Sequence, residues 1–131
     1  MDEQIRAAME SLAVNGEVSC ANAHAVAAKF GVAPIVVGDV VNKQTSLRFY
    51  RCQLGVFGYG VKAEGKSKIV LKATNVPPEI EAELMAQASN GHIDCAAVWE
   101  IAEKFEYPRL GVANICEALG LRVKPCQLGC F

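Results

Sequence analysis

EQIRAAMESLAVNGEVSCANAHAVAAKF (residues 3–30) and PEIEAELMAQASNGHIDCAAVWEIAEKF (residues 78–105) align without a gap at a constant offset of 75. Ile5 falls on Ile80, Asn15-Gly16 on Asn90-Gly91, Val18 on Ile93, Cys20-Ala21 on Cys95-Ala96 and Lys29-Phe30 on Lys104-Phe105. Further on, RCQLGVF (51–57) and PCQLGCF (125–131) repeat a tetrapeptide at an offset of 74, so one residue is gained or lost in the turn or third helix between them. A duplication repeats the apolar pattern as well as the conspicuous residues, and both recur here. The chain therefore reads as two copies of one unit. A unit of about 55 residues buries too little surface to be robust alone, which predicts that the copies pack together.

Within a unit, Ile5, Ala8, Met9 and Leu12 recur at helical spacing between charges, and Asn15-Gly16 ends the pattern. Ile80, Leu84 and Ala88 before Asn90-Gly91 do the same. A short extended piece leads to Ser19 or Asp94, each able to accept a hydrogen bond from the free N–H groups that open the next helix. That second helix spans residues 20–30 and 95–105. Gly31-Val32-Ala33-Pro34 and Glu106-Tyr107-Pro108 break it, and proline suits the first turn of a third helix over 34–43 and 108–119. Strands are predicted over 46–51 and 120–124. The fold class is mainly α with small β, divided as residues 1–58, a basic segment 59–75, and residues 76–131.

Three short helices, a tight turn between the second and third, then a strand and a Gly-rich loop resemble the winged helix-turn-helix superfamily. NGEVSCANAHAVAAKFGV and NGHIDCAAVWEIAEKFEY carry the likeness, with Ala27 and Ala102 in mid-helix where a third helix approaches closely. QLGVFGYGVKAEGKSKIVLKA (53–73) looks like a wing, with residues 68–73 as its returning strand. The resemblance implies two tandem winged-helix units, a transcriptional regulator or accessory factor, and double-stranded DNA as partner.

Charge decides which unit suits that role. Residues 1–58 are net neutral, residues 59–75 carry +3 and residues 76–131 carry −4. A DNA reader places Lys and Arg against phosphates, so the first unit is the candidate. Its third helix offers Asn42, Lys43 and Gln44, the following strand Arg48 and Arg51, and the wing Lys62, Lys66, Lys68 and Lys72. PIVVGDVVN (34–42) is nonetheless short of the long polar side chains that read base edges. A helix so aliphatic equally suits a core or a protein interface, so the alternative is a protein–protein interaction module. In the second unit Arg109, Asn114 and Glu117 occupy the comparable helix. His24 aligns with Trp99, a position expected to serve packing or an interface rather than catalysis.

The six cysteines lack the paired spacing of a zinc site, so no metal or cofactor is assigned. Cys20 and Cys95 begin second helices, where an exposed thiol would ionise more easily, but aliphatic neighbours predict burial. Cys52 and Cys126 open the repeated tetrapeptide and are expected to face inward with the following Leu, with Gln outward. Cys130, where the first copy has Val56, completes a candidate thiol site with them; a thiol- or metal-responsive regulator is the third reading. No Ser-His-Asp arrangement, phosphate-cradling loop or carboxylate pair is present, so no catalytic residue and no enzyme activity are assigned. No apolar run approaches the ~20 residues of a membrane span, and the acidic start lacks the form of a secretion signal. The expected setting is cytoplasmic, without membrane contact, with thiols mostly reduced. An unpaired edge strand in the second copy predicts possible homodimerisation.

Overall fold

A computed structural model describes residues 1–59 and 68–130. The order α-β-α-α-β occurs twice: α1 (Asp2–Leu12), β1 (Glu17–Ser19), α2 (Cys20–Phe30), α3 (Pro34–Gln44) and β2 (Arg48–Tyr50), then α4 (Pro78–Gln87), β3 (His92–Ile93), α5 (Cys95–Lys104), α6 (Arg109–Ala118) and β4 (Arg122–Val123). The class is mainly α with small β, as the periodicity predicts, although β2 and β4 are shorter than the strands expected over 46–51 and 120–124.

Local chemistry sets the same boundaries in both halves. Ile5 and Met9 of α1 are fully buried, as are Ile80 and Leu84 of α4, each pair spaced by four residues on one helix face. Asn15 and Gly16 take φ of 53° and 77°, and Asn90 and Gly91 take 53° and 79°. Two successive left-handed residues make the tight reversal that Asn-Gly favours. Paired N–H···O bonds close each reversal, at 2.8 and 3.0 Å between Val14 and Glu17, and 2.8 and 2.9 Å between Ser89 and His92. The predicted caps form: Ser19 Oγ accepts from the Asn22 N–H at 3.1 Å, and Asp94 Oδ1 from the Ala97 N–H at 2.7 Å.

The strands pair differently from the expected wing. β1 and β2 are parallel, with Glu17 opposite Arg48 and Ser19 opposite Tyr50, and β3 and β4 are parallel, with His92 opposite Arg122. Parallel strands require a crossover, which α2–α3 and α5–α6 supply. The returning strand expected over 68–73 is not formed. That segment is an extended strap instead: the Ile69 and Val70 N–H groups donate to Gly55 O at 2.8 and 3.2 Å, Leu71 N–H to Asn114 Oδ1 at 2.9 Å, and Ala73 N–H to Asn114 O at 3.0 Å. Its backbone donors find partners on the first CQLG turn and on α6, so the segment has no need of a ladder with β2.

The two CQLG segments exchange places. Cys126 and Leu128 are buried in the cluster built from Ile5, Met9, Val26, Val37 and Val41 of the first half. Cys52 and Leu54 are buried with Ile80, Leu84, Ile101, Val112 and Ile115 of the second. Each half therefore completes its interior with the arm of the other, and Trp99 packs against both clusters. Burial also locates the one-residue offset. Val37, Gly38, Val40 and Val41 correspond to Val112, Ala113, Ile115 and Cys116, still 75 apart, whereas Leu47 and Leu121 are 74 apart. The extra residue lies between α3 and β2, and Cys116 takes the packing place of Val41.

Candidate nucleic-acid interface and thiol cluster

α2 and α3 are joined by Gly31, Val32 and Ala33 and diverge by 116°. Gly31 has φ 66°, the left-handed conformation that ends α2, and its N–H and that of Val32 satisfy the Ala28 and Ala27 carbonyls. Glu106, φ 51°, performs the same turn in the second half without a glycine.

Of the nine residues expected to touch DNA, the seven that are described are not gathered into one set. Asn42 Nδ2 reaches Leu128 O at 3.5 Å, so it holds the exchanged arm. Lys43 lies 3.8 Å from Asp39, both largely exposed, a pair worth little in water. Gln44 Nε2 donates to Asp2 Oδ2 at 3.1 Å. Arg48 is exposed beside Arg51, whose guanidinium stands 5.2 Å from the Tyr50 ring centre. Lys68 pairs with Glu117 of α6 at 3.2 Å, which places it on the second half. Lys72 is exposed on the strap. Lys62 and Lys66 lie outside the described residues. Asn114 is committed to the strap through its side chain and carbonyl.

The aligned rings of His24 and Trp99 meet. Their centroids are 4.2 Å apart at an interplanar angle of 36°, and the Arg109 guanidinium sits 3.7 Å over the Trp99 ring. Arg109 also donates to Gln53 Oε1 at 3.1 Å. His24 Nε2 and Trp99 Nε1 are buried without a hydrogen-bond partner among the described residues. Burial, and then the Arg109 charge, lower the His24 pKa from 6.5 to about 4, so the imidazole is neutral at pH 7. A neutral ring wedged between the halves is an interface residue, as its alignment with Trp99 suggests.

The repeated cysteine is explained by its sulfur. Cys126 Sγ accepts the Leu128 N–H at 3.3 Å and lies against the N–H groups of Gly129 and Cys130. Cys52 lies against the backbone of Leu54, Val56 and Phe57 in the same way. A thiol is apolar enough to bury yet accepts the donors of a tight turn, and Gly55 and Gly129, with φ 75° and 79°, complete it. The glutamines do not point outward as expected. Gln127 is half-buried with Nε2 on Cys95 Sγ at 3.4 Å, and Gln53 is half-buried against Arg109. Cys, Gln, Leu and Gly each have a place in the exchanged turn, and their joint recurrence was the available signal.

Cys20 and Cys95 are buried at their helix starts, and desolvation pushes their thiols up to about 12 and about 11. Desolvation likewise pushes Cys116 up to about 12. Cys20, Cys52, Cys95 and Cys126 lie close enough to interact electrostatically. No group of three or more His, Cys, Asp or Glu side chains among the described residues is arranged to hold a metal ion.

A cleft of about 500 Å³ opens between α6, β4 and the strap, lined by the charged Lys68, Glu117, Arg122 and Lys124 and by the apolar Val56 and Val70 among others. Among the described residues no single helix is long and apolar enough to cross a membrane. Comparisons with protein-family models, with curated proteins and with solved structures give no match.

Proposed function

We propose that the chain binds double-stranded DNA as a transcriptional regulator or accessory factor, using α2 and α3 as a helix-turn-helix. The observation carrying this reading is the three-residue turn with its left-handed glycine and the 116° bend, the geometry by which such a pair presents its second helix to a major groove. The first half is favoured because α6 is covered by the strap, and because Lys43, Arg48 and Arg51 follow one another on α3 and the chain leaving it. Lys72 adds a further exposed cation. The winged-helix likeness therefore rests on the helices and not on a hairpin wing.

The test is polarisation binding of a mixed genomic-fragment library at two salt concentrations, with the wild type and a Lys43→Glu, Arg48→Glu double variant. Loss of two phosphate contacts should flatten the slope of log affinity against log salt by about 2. Equal affinity and slope in both proteins would exclude this interface.

A protein-interaction module is the second reading, favoured by the strap's apolar exposure. Leu71 is 73% exposed and Ile69 38%. If a second copy of the chain is the partner, sedimentation should show a concentration-dependent mass that Leu71→Ser abolishes.

A further inference from the structure

We propose that Cys126 and Cys130 are a redox-active dithiol, a modification site at which a peroxide oxidises the pair to an intramolecular disulfide. The two thiols stand close enough to interact with each other. The turn holds them there: Gly129 N–H donates to Cys126 O at 3.1 Å, and Leu128 N–H to Cys126 Sγ at 3.3 Å. The backbone thus reverses between the cysteines and brings their side chains to one side, the arrangement a short disulfide loop needs. Cys130 is only partly buried, which gives a small oxidant an approach.

The same turn occurs in the first half with Val56 in place of Cys130, so the chain contains its own thiol-free counterpart. Ionisation separates the pair from the other cysteines as well. The Cys130 thiol and the turn's N–H groups favour a thiolate on Cys126, holding its pKa below the usual thiol range, and the shared proton raises Cys130. Burial raises Cys20, Cys52, Cys95 and Cys116. Thiolate is the nucleophilic form, so reaction begins at Cys126.

The chemistry balances with hydrogen peroxide as oxidant. The Cys126 thiolate attacks one peroxide oxygen; an S–O bond forms, the O–O bond breaks, and hydroxide leaves and is protonated to water. The Cys130 sulfur then attacks the sulfenic sulfur. An S–S bond forms, the S–O bond breaks, and the departing hydroxide takes the Cys130 proton as a second water. Both sulfurs are oxidised and both peroxide oxygens reduced.

The experiment treats the folded, fully reduced protein with stoichiometric hydrogen peroxide, then counts thiols and maps the peptides. The wild type should lose two of its six thiols, and the tryptic peptide after Arg122, which contains both cysteines, should become lighter by about 2 Da. Cys130→Val, which copies the first-half turn and so should fold, should form no disulfide, and Cys126, without the Cys130 thiol to favour its thiolate, should resist peroxide as Cys52 does, leaving all five thiols free. Circular dichroism of that variant confirms its fold. Six free thiols in treated wild type, a disulfide mapped to other cysteines, or the same two-thiol loss in Cys130→Val would each overturn the proposal.

Discussion

Gly38→Ala tests the exchange of arms at the point where it is tightest. In an isolated helix the change is favourable by about 1 kcal/mol, because alanine loses less backbone freedom than glycine. Here a Cβ on residue 38 would stand 2.0 Å from Leu128 O, 2.6 Å from its carbonyl carbon and 2.9 Å from its Cα. All three are backbone atoms, so no rotamer change relieves the overlap. The arm must retreat by more than about 1 Å, a distance over which well-packed side chains lose much of their contact. Such overpacking costs about 1–3 kcal/mol. If the arm leaves altogether, Leu128, now 1% exposed, returns to water at a cost of about 2–5 kcal/mol. Set against the helix gain of about 1 kcal/mol, the net loss is about 0–2 kcal/mol if the arm shifts and about 1–4 kcal/mol if it leaves. Urea unfolding measures it, and a double-mutant cycle with Leu128→Ala identifies its source: with little left to anchor, the arm yields, and Gly38→Ala should cost much less in that background. A Gly38→Ala protein stabilised by the full helix gain of about 1 kcal/mol, or strictly additive costs, would refute the exchanged-arm account.

The remaining predictions concern the interface and the caps. His24 has a folded pKa of about 4 against 6.5 for the free group. The unfolded chain therefore binds its proton first, so this contribution is complete above pH 6.5 and is lost as pH falls towards 4. Allowing for the ring's partial exposure, the loss is about 2 kcal/mol; His24→Gln should remove that part of the pH dependence between pH 7.5 and 4.5, measured by urea midpoints. Leu54→Ala should destabilise the chain by about 2–5 kcal/mol, with amide exchange accelerating in α5 and α6 more than in α2 and α3. Exchange rising first in the half that carries residue 54 would contradict its assignment to the opposite core. Asp94→Ala removes the acceptor of the Ala97 N–H and should cost about 1 kcal/mol, read from thermal unfolding, with Asp94→Ser restoring most of it.

Element boundaries were legible because each rests on a local rule. Asn-Gly before β1 and β3, Ser19 and Asp94 at the caps, and proline at the start of α3 act within a few residues of themselves. The apolar period identified Ile5, Met9, Ile80 and Leu84 as core for the same reason. Strand pairing was not legible, since Arg48 and Arg122 look alike whether they ladder with a following wing or with the distant Gly16 and Gly91 carbonyls, which in fact accept their N–H groups at 2.9 Å each. The partners of Asn42 and Lys68 were not legible either, because a polar residue on an exposed helix face or a basic segment carries no mark of an intramolecular partner. The exchange of arms left one trace: CQLG recurs with every position intact while the flanking Arg51 and Pro125 differ. A turn that only closed its own strand would constrain the glycine and leave the rest free. A turn inserted into another half's interior must match that cavity with the leucine, satisfy its own N–H groups with the sulfur, and seat the glutamine on a partner of its own, Arg109 for Gln53 and Cys95 for Gln127. Identity across four residues is the mark of that combined demand. It also explains why Val56 and Cys130, at the turn's margin, were able to diverge and leave a dithiol on one side alone.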